Sequence, residues 1–149
     1  MISYFNKTET TFTNNGLGIL DDYVIRPIVS EEMNGLFILE FDYPIHAPHS
    51  SKLIPEMLIR APVPDLPDQL FRINERGDAI HGLCHIVGYH IFYDLAKNLI
   101  EDTFITIKNG SGALNQLLNN TQYSHHFTSS SNISTTNNAR LVRLNPVEV

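Results

Sequence analysis

The feature that most constrains the fold is a strict alternation of apolar and polar side chains over residues 37–43. The apolar positions are Phe37, Leu39, Phe41 and Tyr43. The positions between them are Ile38, Glu40 and Asp42. Because successive side chains on a strand point to opposite faces of a sheet, this pattern predicts a β-strand with one buried face.

Other segments rich in β-branched and aromatic residues predict further strands. They are two short strands joined by a hairpin-like loop within residues 2–20, and single strands at 23–29, 57–60, 70–74, 80–89 and 102–108. Pro27 cannot donate a ladder hydrogen bond, so the strand at 23–29 is expected at a sheet edge or broken at the proline. Residues 75–78 are expected to form the turn that follows the strand at 70–74.

One segment near the carboxyl end has a helical pattern. Leu114, Leu117 and Leu118 recur at i, i+3 and i+4 and form one apolar stripe, and Ser111 can cap the amino end. The pattern predicts a short amphipathic helix from about Ser111 to Asn120. Many strands, one helix and no βαβ rhythm predict an α+β domain dominated by antiparallel β structure, with a twisted or barrel-like sheet.

Length, charge and cysteine content limit the possible functions. A chain of 149 residues suits one domain that buries a core without metals or disulfides. The formal net charge of −6 and the absence of a basic run remove the electrostatic basis for binding nucleic acid. Cys84 is the only cysteine and is expected to be a buried, small apolar residue. No apolar stretch approaches the ~18 residues that a membrane helix needs.

The histidines invite a metal-site hypothesis, but strand geometry argues against it. Residues four apart on a strand, such as His81 and His85, are about 13 Å apart, and His90 points to the opposite face from His85. Only a helix would align the first two. Cys84 and His85 also point to opposite faces of a strand, which disfavours cysteine catalysis. We therefore expect no catalytic residue, no metal and no cofactor.

Three segments carry a resemblance to a known family, in the order 34–44, 69–73 and 90–95, and the resemblance continues to residues 145–148 near the carboxyl end. The residues concerned are Asn34, Gly35, Phe37, Leu39, Phe41, Tyr43, Pro44, Phe71, Arg72, Ile73, His90, Ile91, Phe92, Tyr93, Asp94, Leu95, Asn145 and Pro146. Together they resemble the prophage tail endopeptidase family. These are the tail-associated lysins or minor structural proteins at the tail tip of siphophages and prophages of Gram-positive bacteria.

The resemblance implies a structural domain similar to the baseplate hub of contractile-tailed phages. It implies a hub-like domain over residues 1–144, with 145–149 beginning a linker or a further domain. Its expected partners are other copies of the chain, as a trimer in the full-length protein, together with the distal tail protein and the tape measure protein. The expected location is the virion tail tip, after synthesis in the host cytoplasm. The family's peptidoglycan-cleaving activity belongs to regions beyond the hub, so these residues are not expected to form an enzyme.

Two other functions stay open at this point. A host-surface or carbohydrate-binding module would fit the aromatic content and the weakly charged surface, and exposed aromatic rings in a cleft would favour it. A cell-wall hydrolase would need a convergent set of His, Asp, Glu or Cys side chains with perturbed pKa values. The polar tips of His90, Tyr93 and Asp94 are expected to form structural hydrogen bonds rather than a catalytic group.

Overall fold

All strand pairs in the described part of the chain, residues 1–32 and 35–147 of a computed structural model, are antiparallel. Strands hold 44% of the residues and helices 13%, which confirms the predicted α+β class dominated by β structure. The chain forms two compact units, Met1–Ile91 and Phe92–Val149. The boundary predicted near residue 145 stays a prediction. No helix within the described residues combines the length and the apolar character needed to cross a bilayer.

The first unit is built on one seven-stranded sheet. Its strands are β1 (Ser3–Phe5), β2 (Gly18–Ile19), β3 (Ile25–Glu31), β4 (Phe37–Pro44), β5 (Leu58–Val63), β6 (Leu66–Arg76) and β7 (Leu83–His90). They are ordered β2-β1-β5-β6-β7-β4-β3, and the sheet curls into a half-barrel, as the sequence predicted. A 3-10 helix, Ser50–Lys52, lies in the connection between β4 and β5.

Strand β4 confirms the alternation on which the fold prediction rests. Phe37, Leu39, Phe41 and Tyr43 are buried, and the residues between them are partly exposed. The curled sheet has one buried face, and the apolar side chains of β4 lie on that face. The hydroxyl of Tyr43 donates a hydrogen bond to the carbonyl of Pro48 at 2.7 Å, so this polar group has a partner.

Strand β3 confirms the interpretation of Pro27. It is an edge strand, and its pairing with β4 is irregular between Ile25 and Ile28, around the proline. Arg26, inside this irregularity, has a positive φ of 50°. The missing N–H of Pro27 is therefore accommodated at an edge and within a bulge, where the ladder does not need it.

Strands β5 and β6 are longer than predicted, and the turn predicted at residues 75–78 is wrong in its first half. Strand β6 continues through Arg76, which pairs with Ile86. The guanidinium of Arg76 donates to the backbone carbonyls of Ser50 and Leu53. These long-range bonds keep the segment extended, and they could not be foreseen from local turn propensity. Pro62 is tolerated in β5 because it falls in an irregularity between Ala61 and Val63.

The second unit packs one helix on a two-stranded sheet. A 3-10 helix, Ile91–Lys97, leads into β8 (Ile100–Lys108), α1 (Gly110–Leu118) and β9 (Asn137–Leu144). Strands β8 and β9 pair with each other. The strand predicted at residues 102–108 and the predicted amphipathic helix are both present. The buried core of this unit consists of Ile100, Ile105, Leu117, Leu118 and Leu141.

The helix cap differs from the prediction. Asn109, rather than Ser111, is the N-cap, and its side chain accepts a hydrogen bond from the Gly112 N–H at 2.9 Å. The Ser111 hydroxyl instead donates to the Ser131 carbonyl at 3.0 Å. Both residue types favour N-caps. The extended backbone of Asn109, with ψ of 176°, decides between them, and the helix begins one residue earlier and ends two residues earlier than predicted.

Candidate functional site

The three segments that carry the family resemblance meet in one aromatic cluster in the first unit. Phe37 on β4, Phe71 on β6 and His90 on β7 lie together, and we call them the motif cluster. The His90 ring stacks on Phe37 with centroids 4.4 Å apart, and Phe71 contacts both rings edge-on, at 5.4 Å and 5.6 Å. A Cβ on Gly88 would lie 3.2 Å from the Phe71 Cβ, so the glycine allows this ring to sit close to β7.

His90 is held as a neutral group within this cluster. Burial lowers its pKa to about 4, because an imidazolium would lose its hydration between two aromatic rings. Its Nε2 lies 3.0 Å from the Gln69 side-chain oxygen, which is a suitable acceptor for the N–H of a neutral ring. A histidine so placed packs and hydrogen-bonds, as the sequence predicted for it.

The remaining residues of these segments have structural contacts too. Arg72 donates to the backbone carbonyls of Lys7 and Glu56, and so ties two loops to β6. Ile73 is buried, and Pro44 ends β4. Gly35 lies in a bend just before β4. Asn34 lies outside the described residues.

Residues 91–95 lie in the second 3-10 helix, and residues 145–146 lie next to it through a hydrogen bond. The helix thus contains Ile91, Phe92, Tyr93, Asp94 and Leu95. There the Phe92 and Tyr93 rings stack with centroids 4.1 Å apart. The Asn145 side chain donates to the Ala96 carbonyl at 2.9 Å, and Pro146 lies in the turn that follows.

The opposite, outer face of the first sheet carries a charged cluster that the sequence analysis missed. It consists of Arg26 on β3, Glu40 and Asp42 on β4, and His85 on β7. The His85 Nδ1 lies 2.9 Å from Asp42 Oδ1, and its Nε2 lies 3.6 Å from Glu40 Oε1. The Arg26 guanidinium pairs with the other oxygen of Asp42. Together with Ile28 and Phe41, these residues line an open concavity of about 240 Å³.

The cluster shifts the pKa values of two of its members. The hydrogen bond to Asp42 raises the pKa of His85, and Glu40 adds to this effect. The hydrogen bonds from His85 and Arg26 lower the pKa of Asp42. Both ring nitrogens of His85 face carboxylates, so neither is placed to take a proton from a bound substrate. The arrangement is a network of ion pairs.

Cys84 and the other histidines do not join this cluster. Cys84 is fully buried on the inner face, as predicted, and its Sγ donates to the Tyr43 carbonyl at 3.2 Å. His85 is next in sequence but lies on the outer face, and His90 lies on the inner one. His81 precedes β7, at a positive φ of 50°. Among the described residues, no group of three or more His, Cys, Asp or Glu side chains could hold a metal ion.

The signal for the charged cluster was present in the sequence but incomplete. Glu40 and Asp42 alternate with the buried residues of β4, which marks them as outward-facing. Their contact with His85 depends on the register of β4 with β7, in which Asp42 pairs with His85. Arg26 reaches the same place because its neighbour Ile25 pairs with Asp42. One sequence alone does not reveal these long-range registers.

We compared the chain with family models, curated proteins and solved structures. No family model, no curated protein and no solved structure matches the chain. The functional assignment therefore depends on the residues of the three segments and on the way they pack.

Proposed function

We propose that this chain is a structural component of a phage or prophage tail tip, in the role of a baseplate hub. In this role it forms part of a ring that closes the tail tube and joins it to the distal tail protein and to the host-contacting parts. Rings of this kind arise from heterologous interfaces that close on themselves. The chain contributes a folded scaffold and contact surfaces, and any peptidoglycan cleavage is the task of other regions.

The convergence of the three resembling segments is the observation that carries the proposal. Residues 34–44, 69–73 and 90–95 are far apart in sequence, yet their aromatic members form the motif cluster on adjacent strands β4, β7 and β6. In a family of structural domains, we expect motif residues that are far apart in sequence to contact one another in the core. A shared core contact is what a family of structural domains would preserve, because it sets the spacing of the strands.

Exposed apolar side chains of the second unit support an assembly role. On β8, Phe104 is 61% exposed and Ile107 is 72% exposed. Val142, on the paired strand β9, is exposed as well. The Arg140 guanidinium lies 4.9 Å from the centroid of the Phe104 ring and pairs with Asp102, so this surface is part apolar and part charged, as the rims of protein interfaces are. A neighbouring copy in the ring is the partner that the proposed function supplies.

The chemistry of the outer face favours a structural protein over a hydrolase. Both ring nitrogens of His85 face carboxylates, and the buried Cys84 lies on the other face, so the part of the chain that the structure describes pairs this histidine with no thiol. The concavity also argues against the carbohydrate-binding alternative. Phe41 is the aromatic residue in its lining, and the Phe41 ring is buried, so it offers no face on which a sugar could stack.

Co-expression with the distal tail protein of the same phage or prophage tests the proposal. Light scattering after size-exclusion chromatography should give a complex that contains several copies of this chain, and zymography of the same sample should show no clearing of cell walls. Failure to form any complex at micromolar concentrations would count against the hub role. Binding to isolated cell walls or glycans in place of the distal tail protein would favour the carbohydrate-binding alternative. Clearing of the cell walls would favour the hydrolase.

A further inference from the structure

We propose that Asn15 is a site of spontaneous deamidation in the folded protein, whereas Asn109, which is also followed by glycine, is protected by the fold. The inference concerns a covalent change in the first unit, so it goes beyond the tail-tip role and does not depend on it. The sequence contains three Asn-Gly pairs, which are Asn15-Gly16, Asn34-Gly35 and Asn109-Gly110. Asn34 lies outside the described residues, so the structure distinguishes between the other two.

Deamidation joins the side chain of an asparagine to the backbone nitrogen that follows it. The Gly16 N–H loses its proton to a base in the solvent, and the nitrogen attacks Cγ of Asn15. The bond from Cγ to Nδ2 breaks, and Nδ2 leaves as ammonia with a proton from the solvent, so that a cyclic succinimide remains. Water then opens the ring. Cleavage between the Gly16 nitrogen and Cγ gives aspartate, and cleavage between that nitrogen and the backbone carbonyl carbon gives isoaspartate. Glycine favours the attack because it has no Cβ beside the nitrogen.

The surroundings of Asn15 leave both reacting atoms accessible. Asn15 is exposed, in the loop that joins β1 to β2. Its side chain makes no hydrogen bond to any part of the chain that the structure describes. The Gly16 N–H donates to the side-chain oxygen of Asn14 at 2.8 Å, and this bond must open before the nitrogen can attack. Because the bond joins two exposed loop residues, it opens at low free-energy cost.

The surroundings of Asn109 hold the same two atoms in place. Its side-chain oxygen accepts from the Gly112 N–H as the N-cap of α1, and its backbone is extended, with ψ of 176°. The Gly110 N–H, which supplies the attacking nitrogen, donates to the Ile133 carbonyl at 3.0 Å. A Cβ on Gly110 would lie 2.3 Å from the Ser131 Oγ, so this segment is closely packed. Attack therefore requires both hydrogen bonds to break and the start of α1 to unwind.

The two products differ in what they do to the edge of the sheet. Both add a carboxylate to the loop, but only isoaspartate adds a methylene group to the backbone. The chain fits closely against β1 just after this point. A Cβ on Gly16 would lie 2.3 Å from the Tyr4 carbonyl oxygen, and the Leu17 N–H donates to the same oxygen at 2.8 Å. Isoaspartate at position 15 therefore displaces Gly16 and Leu17 and weakens the pairing of edge strand β2 with β1.

Peptide mapping by mass spectrometry tests the proposal on the whole chain. One sample is kept folded in mildly alkaline buffer and another is unfolded in guanidinium chloride at the same pH. Conversion is followed by the mass gained when –NH2 is replaced by –OH, and fragmentation distinguishes Asn15 from Asn14. In denaturant, Asn15 and Asn109 should react at similar rates. Folding should slow Asn109 at least about tenfold, because two hydrogen bonds must be lost, and should slow Asn15 by no more than about threefold.

Two variants separate ring closure from its consequences. Asn15→Gln must close a larger and less favourable ring, so it should abolish conversion at this position. Asn15→Asp carries the new charge on an unchanged backbone, and hydrogen exchange of its Leu17 amide should match the wild type. The isoaspartate fraction of the aged chain should exchange this amide at least about fivefold faster, because the bond to Tyr4 is lost.

Three results would overturn the proposal. The first is a rate at Asn15 in the folded chain that is no higher than the rate at Asn109. The second is slowing of Asn15 by folding as large as that of Asn109. The third is unchanged exchange of the Leu17 amide in the isoaspartate fraction, which would contradict the effect on β2. The comparison of folded and unfolded wild-type chain needs no variant, so it decides the matter even if a variant fails to fold.

Discussion

Glu40 and Phe41 are neighbours in the chain, yet their side chains have opposite surroundings. Phe41 is 1% exposed and meets the Tyr43 ring edge-on at a centroid distance of 6.4 Å. The Glu40 side chain is 35% exposed and approaches His85 across the outer face. The same alternation in the sequence thus separates a core contact from a surface ion pair, and the two positions should respond very differently to truncation.

Replacing these two residues tests the register of β4. Phe41→Ala should lower the free energy of unfolding by about 3–5 kcal/mol, because it leaves a cavity in the inner face. Glu40→Ala should change it by only about 0.5 kcal/mol at neutral pH, since the ion pair is partly exposed to water. Denaturant melts of both variants measure the difference. Equal losses would mean that both faces are buried, and the reverse order would mean that the register is shifted by one residue.

Elements with a clear local sequence pattern could be predicted. Elements that are fixed by contacts with distant segments of the chain could not. Strand β4 was predicted because burial on one face leaves a clear alternation. Strand β9 was not predicted, since Leu141 is its one buried residue and its place is fixed by pairing with β8. The end of β6 was mistaken for a turn because the bonds from Arg76 to Ser50 and Leu53 are long-range. The charged cluster was missed for the same reason, while the burial of the motif residues on β4 was expected.

The cap of α1 gives a prediction at the level of one element. Asn109→Ala should destabilise the second unit by about 1 kcal/mol, because the Gly112 N–H loses its acceptor. Asn109→Ser is the matched control and should retain most of the stability, since serine is also a good N-cap. Thermal melts followed by the helical circular dichroism signal provide the measurement. A neutral effect of the alanine substitution would show that Asn109 does not cap the helix in solution.

At the scale of the whole molecule, the chain consists of two compact units with separate cores. The first contains the motif cluster on its inner face and the charged cluster on its outer face. The second covers its small sheet with α1 and leaves Phe104 and Ile107 exposed on β8. These features together favour a scaffold that is completed by assembly, and they agree with the tail-tip role that we propose.

Immunogold electron microscopy of intact phage particles tests the central claim most directly. Antibodies raised against the purified chain would be applied to particles induced from a host that carries the gene. Antibodies against the major tail-tube protein would provide the positive control for labelling along the tail. The proposed function predicts gold at the tip of the tail, at the end distant from the capsid. Particles whose tail tubes are labelled by the control, but whose tips carry no gold from this chain, would contradict it.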